Sequence, residues 1–138
     1  MITVTRHYEF PAAHLLVHPS FSDAENRRVY GKCANPNGHG HDYGVDVTVT
    51  GPIDARSGRV IEPALLDALF DERVHSRFAH RTLNDDAAFR DRVPTAENIA
   101  VVIHEELAAA IAEASGAALV RVRVHETRKN SFAYGAMA

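Results

Sequence analysis

The segment from Cys33 to His41 reads CANPNGHGH and carries two histidines, His39 and His41, two residues apart. The residues that follow alternate like a β-strand, and side chains two apart on a strand project to the same side. Two imidazoles on one side suit a zinc ion, which binds histidine nitrogen at about 2.0–2.1 Å. Because the chain holds 9 histidines in 138 residues, this pair alone is weak evidence for a metal site.

A zinc site needs a third ligand, and His14 is the best placed histidine, just beyond the end of the first predicted strand. Three histidines with an open fourth position are typical of a catalytic zinc site. His80 also merits attention, because it stands at a predicted helix end just before the loop Arg81–Asn84. We expect surface or packing roles for the others, which are His7, His18, His75, His104 and His125.

Cys33 is the sole cysteine, so no disulfide can form within the chain. A free cysteine most often acts as a small buried hydrophobic residue. This one lies in a polar loop beside Lys32, and nearby positive charge lowers a thiol pKa and favours the thiolate. Since the thiolate is the form that acts as a base or nucleophile, we favour a functional role for Cys33.

Glu126 is in phase with Val120, Val122 and Val124, so the alternation points its carboxylate to the apolar face near the end of a predicted strand. A buried carboxylate is costly unless it is paired or hydrogen-bonded. In the alternative interpretation the strand ends before Glu126 and leaves the side chain in solvent. Periodicity leaves both interpretations open.

The composition describes an ordinary globular chain, with 46% hydrophobic and 24% charged residues. A net charge of −3 gives no reason to expect a nucleic-acid or anionic-membrane surface. No apolar run approaches the roughly 20 residues that span a bilayer. The start, MITVTRHYEF, is polar throughout and is not typical of a signal peptide. We therefore expect a cytoplasmic protein with neither a nucleic-acid nor a membrane partner.

Two alternating stretches predict the first two strands that position these side chains. Residues 2–10 alternate until Pro11 ends the strand, and residues 41–51 alternate before the Gly51-Pro52 turn. Between them, residues 18–38 are polar and carry Pro, Ser, Asn and Gly, which predicts a long loop. Loops of that length are often functional.

Two helices are predicted next. Pro63 fits the first turn of a helix whose apolar residues recur at helical spacing as far as Val74. After a loop from about Arg81 to Val93, Thr95 is a suitable N-cap for a longer helix. Gly116 is expected to terminate that helix.

Two further strands complete the predicted order β-β-α-α-β-β. Residues 118–127 alternate, and a short strand near Phe132–Met137 completes a hairpin around Lys129-Asn130. With no linker or repeat in the sequence, we predict one α+β domain over residues 1–138.

Four segments resemble, in order and at sensible spacing, the motifs of the 6-pyruvoyltetrahydropterin synthase family. That family also includes 6-carboxytetrahydropterin synthase of the deazapurine and queuosine pathways. The resemblance covers almost the whole chain, and the interval from the cysteine to the histidines is similar to that of the pyruvoyl type. The four segments are Phe10–His14, Cys33–Tyr43, Pro94–Asn98 and His125–Thr127.

The resemblance implies a tunnelling fold with an antiparallel sheet that closes into a barrel between subunits. Members usually form a homohexamer, a dimer of trimers, with active sites between subunits. They act on 7,8-dihydroneopterin triphosphate, removing triphosphate and rearranging the side chain. By position, the zinc ligands would be His14, His39 and His41.

The resemblance also implies roles for other residues. Cys33 would be the general base and His80 part of the proton relay, since a thiolate can remove a carbon-bound proton and an imidazole can transfer it. Glu126 would anchor the amino-pyrimidine edge of the pterin by accepting two N–H bonds, helped by the backbone of Thr95 and Ala96.

Two places depart from the family pattern. Glu62-Pro63 replaces the more usual hydrophobic-Asp pair before the first predicted helix, and Ala79 stands where an Asp normally precedes the histidine placed at His80. An Asp bonded to a histidine fixes its tautomer and stabilises its cation. Asp71, Asp85 or Asp86 could supply the carboxylate from elsewhere. The departure at Ala79 leaves two alternatives to a zinc-dependent pterin lyase: a pterin-binding homologue with little synthase activity, and an unrelated metal-binding or interaction domain.

A triphosphate needs local positive charge whatever the net charge of the chain. Each candidate cation also fits an ordinary solvated surface. The candidates are Arg27, Arg28, Lys32, Arg81, Arg128 and Lys129.

Overall fold

A computed structural model describes residues 1–35 and 38–136 of the chain. Pro36 and Asn37, within the CANPNGHGH segment, lie outside the described residues, as does Met137 at the end of the predicted last strand. In the described ranges no helix is long and apolar enough to cross a membrane.

Four antiparallel strands form one sheet in the order β1-β2-β3-β4. The α+β prediction is confirmed, and each predicted strand exists. The strand bounds are Thr3–His14 for β1, His39–Thr50 for β2, Ala118–His125 for β3 and Ser131–Gly135 for β4.

The prediction that Pro11 ends the first strand is wrong, because β1 continues to His14. β1 is an edge strand, and the Pro11 carbonyl accepts a hydrogen bond from the His80 N–H on the side away from β2. The missing N–H of Pro11 therefore points to the open edge, where the ladder with β2 does not need it. This extension brings His14 into the sheet, directly opposite His39.

The long loop predicted over residues 18–38 contains a helix, α1 (Asp23–Tyr30). Its N-cap is Ser22, whose hydroxyl accepts the Glu25 N–H, and Gly31 follows with a positive φ of 59°. Serine followed three residues later by glutamate is a capping box, so the sequence carried a signal for this helix. A 3-10 turn, Gly31–Ala34, continues from it.

The two predicted helices are confirmed. The first is α2 (Pro63–Phe70), which continues through a π-helical turn, Asp71–His75, into the short α3 (Ser76–Phe78). The second is α4 (Ala96–Ala114). Two 3-10 turns, Leu83–Asp85 and Ala87–Phe89, lie between them.

Thr95 caps α4 as expected, since its hydroxyl accepts the Asn98 N–H. The C-terminus differs from the prediction: the helix ends at Ala114 with Ser115 as its C-cap. Ser115 has an extended backbone, with φ of −149° and ψ of 175°, so the helix ends before Gly116 is reached, and its hydroxyl donates to the Ile111 carbonyl.

The helices α2 and α4 cover one face of the sheet. The core between them contains Phe10, Tyr43, Leu66, Ile103 and Val122 among other buried apolar residues. The opposite face has no cover within the described chain and carries polar side chains on its central strands. This division into a covered face and an open face decides the environment of every histidine in the sheet.

Candidate active site

The three predicted metal ligands come together at one end of the sheet, on its covered face. His14 is the last residue of β1 and lies opposite His39, the first residue of β2, while His41 lies opposite Ala12. One potential ligand atom from each histidine lies within 4.8 Å of the other two. The Nε2 atoms of His14 and His39 are 2.9 Å apart.

The ring of His14 is held in one orientation. Its Nδ1 lies 2.8 Å from the Pro94 carbonyl oxygen and 3.0 Å from the Tyr43 hydroxyl oxygen. Because a carbonyl only accepts, Nδ1 must carry the hydrogen and donate it. The lone pair of His14 is therefore on Nε2, the atom directed at His39. An outer hydrogen bond that fixes the tautomer is typical of a metal-ligating histidine.

Burial favours the neutral forms of His14 and His39. His14 has no exposed surface, and desolvation lowers its pKa to about 4. Burial, and then the neighbouring His41, lowers the pKa of His39. Among the described residues, Nδ1 of His39 is buried without a hydrogen-bond partner. Neutral imidazoles with converging nitrogens are the donor set that a zinc ion requires, so the residues fit the metal.

Cys33 lies in the 3-10 turn after α1 and is partly buried. Its carbonyl accepts the Leu16 N–H at 2.7 Å, which ties the turn to the chain just beyond β1. Lys32 lowers the pKa of the Cys33 thiol, as expected, but it is not the dominant influence. Burial and the charge of Glu126 raise the pKa of the thiol, outweighing Lys32.

Glu126 follows the last residue of β3, so the strand ends one residue before it and not at 127 as predicted. The side chain is half-buried, so it is neither fully buried on the apolar face nor fully in solvent, the two alternatives that periodicity left open. Its negative charge acts on Cys33, His39 and Tyr43, so Glu126 is near the metal-ligand cluster. Within the described residues its carboxylate has no hydrogen-bond or ion-pair partner, although its N–H donates to the Asn130 carbonyl.

His80 is exposed and adopts a left-handed backbone conformation, with φ of 62°. It lines an open cleft together with His41 and Asp42. In the described part of the chain no contact joins it to Cys33, so the structure does not bring the predicted relay residue to the predicted base.

No carboxylate of the described chain replaces the one missing at Ala79. Asp86 is bound by Arg77 at 2.7 Å, and Asp71 lies 3.6 Å from His75. Asp85 makes no ion pair with a described histidine, so none of the three residues proposed as substitutes contacts His80.

Thr95 and Ala96 begin α4, directly after the Pro94 that holds His14. The structure therefore places both next to the metal-ligand cluster, with Ala96 buried. None of the six candidate cations makes an ion pair within the described ranges, whereas Arg6, Arg77 and Arg92 all do.

Two contributors were missed from sequence. Tyr43 is in phase with His39 and His41 on β2, so strand alternation could have placed it beside them. The Pro94 carbonyl had no local signal, because it is 80 residues from His14 in the chain.

Comparisons with known proteins agree with this geometry. Residues 3–136 match a family model described as 6-pyruvoyl tetrahydropterin synthase. Two curated relatives named 6-pyruvoyl tetrahydrobiopterin synthase are similar to the chain. The Drosophila melanogaster protein is 39% identical over 95% of this chain and 77% of its own length. The Homo sapiens protein is 40% identical over 95% of this chain and 89% of its own length.

One solved structure, that of Caenorhabditis elegans 6-pyruvoyl tetrahydropterin synthase, superposes on the chain with a TM-score of 0.89. It is 37% identical and covers 99% of this chain and 96% of that one. The similarity extends through the sheet and the helices that position the three histidines.

Proposed function

The chain belongs to the 6-pyruvoyl tetrahydropterin synthase family, a family of lyases of pterin synthesis, and from that premise we propose a specific reaction. The protein acts on 7,8-dihydroneopterin triphosphate, eliminates triphosphate and forms the 6-pyruvoyl product. The observation that carries the proposal is the cluster of three histidines with converging ligand atoms near Cys33 and Glu126. The 6-pyruvoyl product is favoured because the curated relatives carry that name.

We infer that His14, His39 and His41 hold a zinc ion. Their ligand atoms lie within 4.8 Å of one another, and among the described residues no carboxylate is hydrogen-bonded to their nitrogens. When bound, zinc supplies Lewis acidity that polarises the hydroxyl groups of the substrate side chain. The protein contributes the fixed tautomer of His14 and the buried surroundings that favour unprotonated His14 and His39.

Glu126 anchors the pterin. A half-buried carboxylate without a partner in the described chain is costly to keep, and two N–H bonds from an amino-pyrimidine edge would satisfy it. The backbone of Thr95 and Ala96, at the same end of the sheet, supplies further polar groups for the ring.

Cys33 removes the carbon-bound proton, and His80 transfers it. Since the charge of Glu126 raises the pKa of the Cys33 thiol, a pterin that pairs with this carboxylate weakens that effect. Substrate binding then makes the thiolate easier to form when the base is needed. The cations without ion pairs, Lys32 among them, are available for the triphosphate.

The active unit is a homohexamer. Both edges of the sheet, β1 and β4, have backbone groups that need partners, and pairing these edges between copies closes a barrel. Because His80 does not reach Cys33 within the described chain, an active site shared between subunits is the arrangement that unites them.

A second candidate is a pterin-binding homologue with little synthase activity. Ala79 favours it, because His80 has no carboxylate to fix its tautomer in the described chain. Both candidates require the same pterin anchor and differ only in turnover.

Titration with neopterin, a non-reactive pterin, tests the anchor. In Glu126→Gln one acceptor oxygen becomes a donor that faces a donor, a mismatch of about 1–3 kcal/mol, so affinity should fall roughly tenfold to a hundredfold. Cys33→Ala is the matched control, because it removes the base and should leave affinity nearly unchanged while abolishing turnover.

Unchanged affinity in Glu126→Gln would contradict the pterin site under both candidates. Product analysis of the zinc-loaded wild type with 7,8-dihydroneopterin triphosphate separates them. Normal binding without turnover would favour the pterin-binding homologue, and Ala79→Asp would then be the first substitution expected to restore activity.

A further inference from the structure

The side chain of Asn84 makes two hydrogen bonds to the backbone of Leu15, one to its N–H and one to its carbonyl, and we call this pair of bonds the bracket. Its Oδ1 accepts the Leu15 N–H at 2.8 Å, and its Nδ2 donates to the Leu15 carbonyl at 2.8 Å. The two residues are 69 positions apart in the chain. Leu15 comes directly after the metal ligand His14, and no role described so far involves Asn84.

The bracket completes a short ladder along the outer edge of β1. The His80 N–H donates to the Pro11 carbonyl at 2.6 Å, and the Ala13 N–H donates to the Arg81 carbonyl at 2.9 Å. Ala13 also forms a parallel bridge with Thr82. The segment 80–84 therefore lies along β1 at its metal end, and the Asn84 amide replaces the next peptide of the ladder.

The same junction connects to the proposed base. Leu16, one residue further, donates its N–H to the Cys33 carbonyl at 2.7 Å. The dipeptide Leu15–Leu16 is thus held by Asn84 on one residue and by the Cys33 turn on the other. Three functional groups meet at this dipeptide: the ligand His14, the base Cys33, and the segment that carries His80.

We propose that Asn84 is a positioning residue that fixes the end of β1 and so holds His14 in place for metal binding. The proposal rests on the proposed function, because it takes His14 as a zinc ligand. An amide is required, since the Leu15 peptide needs both an acceptor and a donor. An aspartate of the same shape accepts the N–H and then opposes the carbonyl oxygen with a second acceptor.

The chain offers a matched control in Asn26, which makes the same kind of bracket elsewhere. Its Oδ1 accepts the His18 N–H at 2.8 Å, and its Nδ2 lies 3.4 Å from the His18 carbonyl. Changing either amide to aspartate removes the Nδ2 donor of its bracket, and in Asn26 it also removes a 3.5 Å bond to the Phe21 carbonyl. Only the Asn84 bracket is on a residue adjacent to a metal ligand.

The test compares Asn84→Asp with Asn26→Asp by competition for zinc with a chromogenic chelator and by the visible spectrum of the cobalt-substituted protein. Asn84→Asp should weaken zinc binding roughly tenfold to a hundredfold, as loss of an outer support does, and should shift the cobalt bands. Asn26→Asp should lower the thermal midpoint and leave both metal readouts as in wild type. Equal metal readouts for the two variants would overturn the proposal.

Amide hydrogen exchange in the wild type keeps the proposal testable if Asn84→Asp does not fold. If the bracket and the metal support each other, adding zinc should slow exchange of the Leu15 N–H by more than that of the His18 N–H. No difference between the two amides would overturn the proposal. Neither readout requires turnover, so a wild type that shows the Leu15 response but forms no product contradicts the proposed reaction alone.

Discussion

Two groups of histidines occupy opposite faces of one sheet and differ in their hydrogen-bond partners and in the direction of their pKa shifts. The covered-face cluster consists of His14, His39 and His41, and no carboxylate in the described part of the chain is hydrogen-bonded to them. Burial lowers the pKa of His14 and of His39. The lowered pKa values favour the neutral forms of His14 and His39, which have lone pairs available for a metal.

The open-face cluster consists of His7, Glu9, Asp46 and His125. His7 lies 2.6 Å from Asp46 through Nδ1 and 3.2 Å from Glu9 through Nε2. His125 lies 2.8 Å from the other oxygen of Asp46. Since carboxylates only accept, both ring nitrogens of His7 carry hydrogens, and the bond to Asp46 raises the pKa of His7.

The difference shows that strand phase and neighbours decide the role of a histidine in this sheet. His7 and His14 belong to the same strand, but their positions differ by seven. Because side chains alternate along a strand, an odd difference places them on opposite faces of the sheet. In the described residues only the covered-face cluster brings three ligand atoms within 4.8 Å of one another. On the open face, both ring nitrogens of His7 and Nε2 of His125 already have carboxylate partners.

The largest expected effect comes from removing a ligand on the covered face. His39→Ala should reduce zinc affinity by more than the roughly 10–100-fold typical of losing an outer partner, because a direct ligand is lost. His125→Ala, on the open face of the same sheet, should keep the wild-type metal content. Metal analysis of both purified variants decides, and equal zinc in His39→Ala and wild type would show that the ligand assignment is wrong.

Sequence periodicity predicted the part of this contrast that depends on local geometry. It placed His39 and His41 on one side of a strand, and it put His7 and His125 on exposed strand faces, where the structure has them partly exposed. It ended β1 too early, because the rule that proline stops a strand does not hold at a sheet edge.

The long-range contacts were not predictable from sequence patterns. Which carboxylate meets His125 depends on the register between β2 and β3, and the bond to Asp46 joins residues 79 positions apart. The Pro94 carbonyl and the Asn84 amide likewise reach β1 from distant segments. By contrast, α1 and the place of Tyr43 were missed despite local signals, which are the capping box that starts at Ser22 and the alternation along β2.

A smaller effect is expected from Asp46→Asn, and it should depend on pH. The folded pKa of His7 is above 6.5, so its bond to Asp46 stabilises the fold at low pH and fades as pH rises through that raised value. The folded pKa of Asp46 is below 3.8, so its contribution is present above that value and is lost as pH falls through the lowered one. Both charges coexist between the two shifted values.

Urea unfolding of metal-free wild type and Asp46→Asn gives the difference in free energy of unfolding, which we expect to be largest at pH values between the two shifted pKa values. Because the His7 side chain is 51% exposed, screening limits the penalty to about 0.2–1 kcal/mol at about pH 5.5, and less at about pH 9. The covered-face cluster is present in both proteins, so its own pH dependence cancels in the difference. A penalty that grows from the lower to the higher pH would contradict the assigned ion pair.

The smallest expected effect on stability, and the most selective one, comes from Gly44→Ala. Gly44 lies opposite Glu9 and His125, and a Cβ there would be 2.9 Å from Cε1 of His7. The half-exposed His7 ring can swing away more easily than the backbone can move, so its bond to Asp46 should break. NMR titration of the ring proton should then give His7 a pKa closer to 6.5, while His125, whose Cβ is 3.4 Å away, keeps its bond. Because this Cβ points to the open face, zinc binding should not change. A loss of zinc in Gly44→Ala would mean that the covered-face and open-face clusters are coupled through β2, and it would contradict the view that each cluster depends only on its own neighbours.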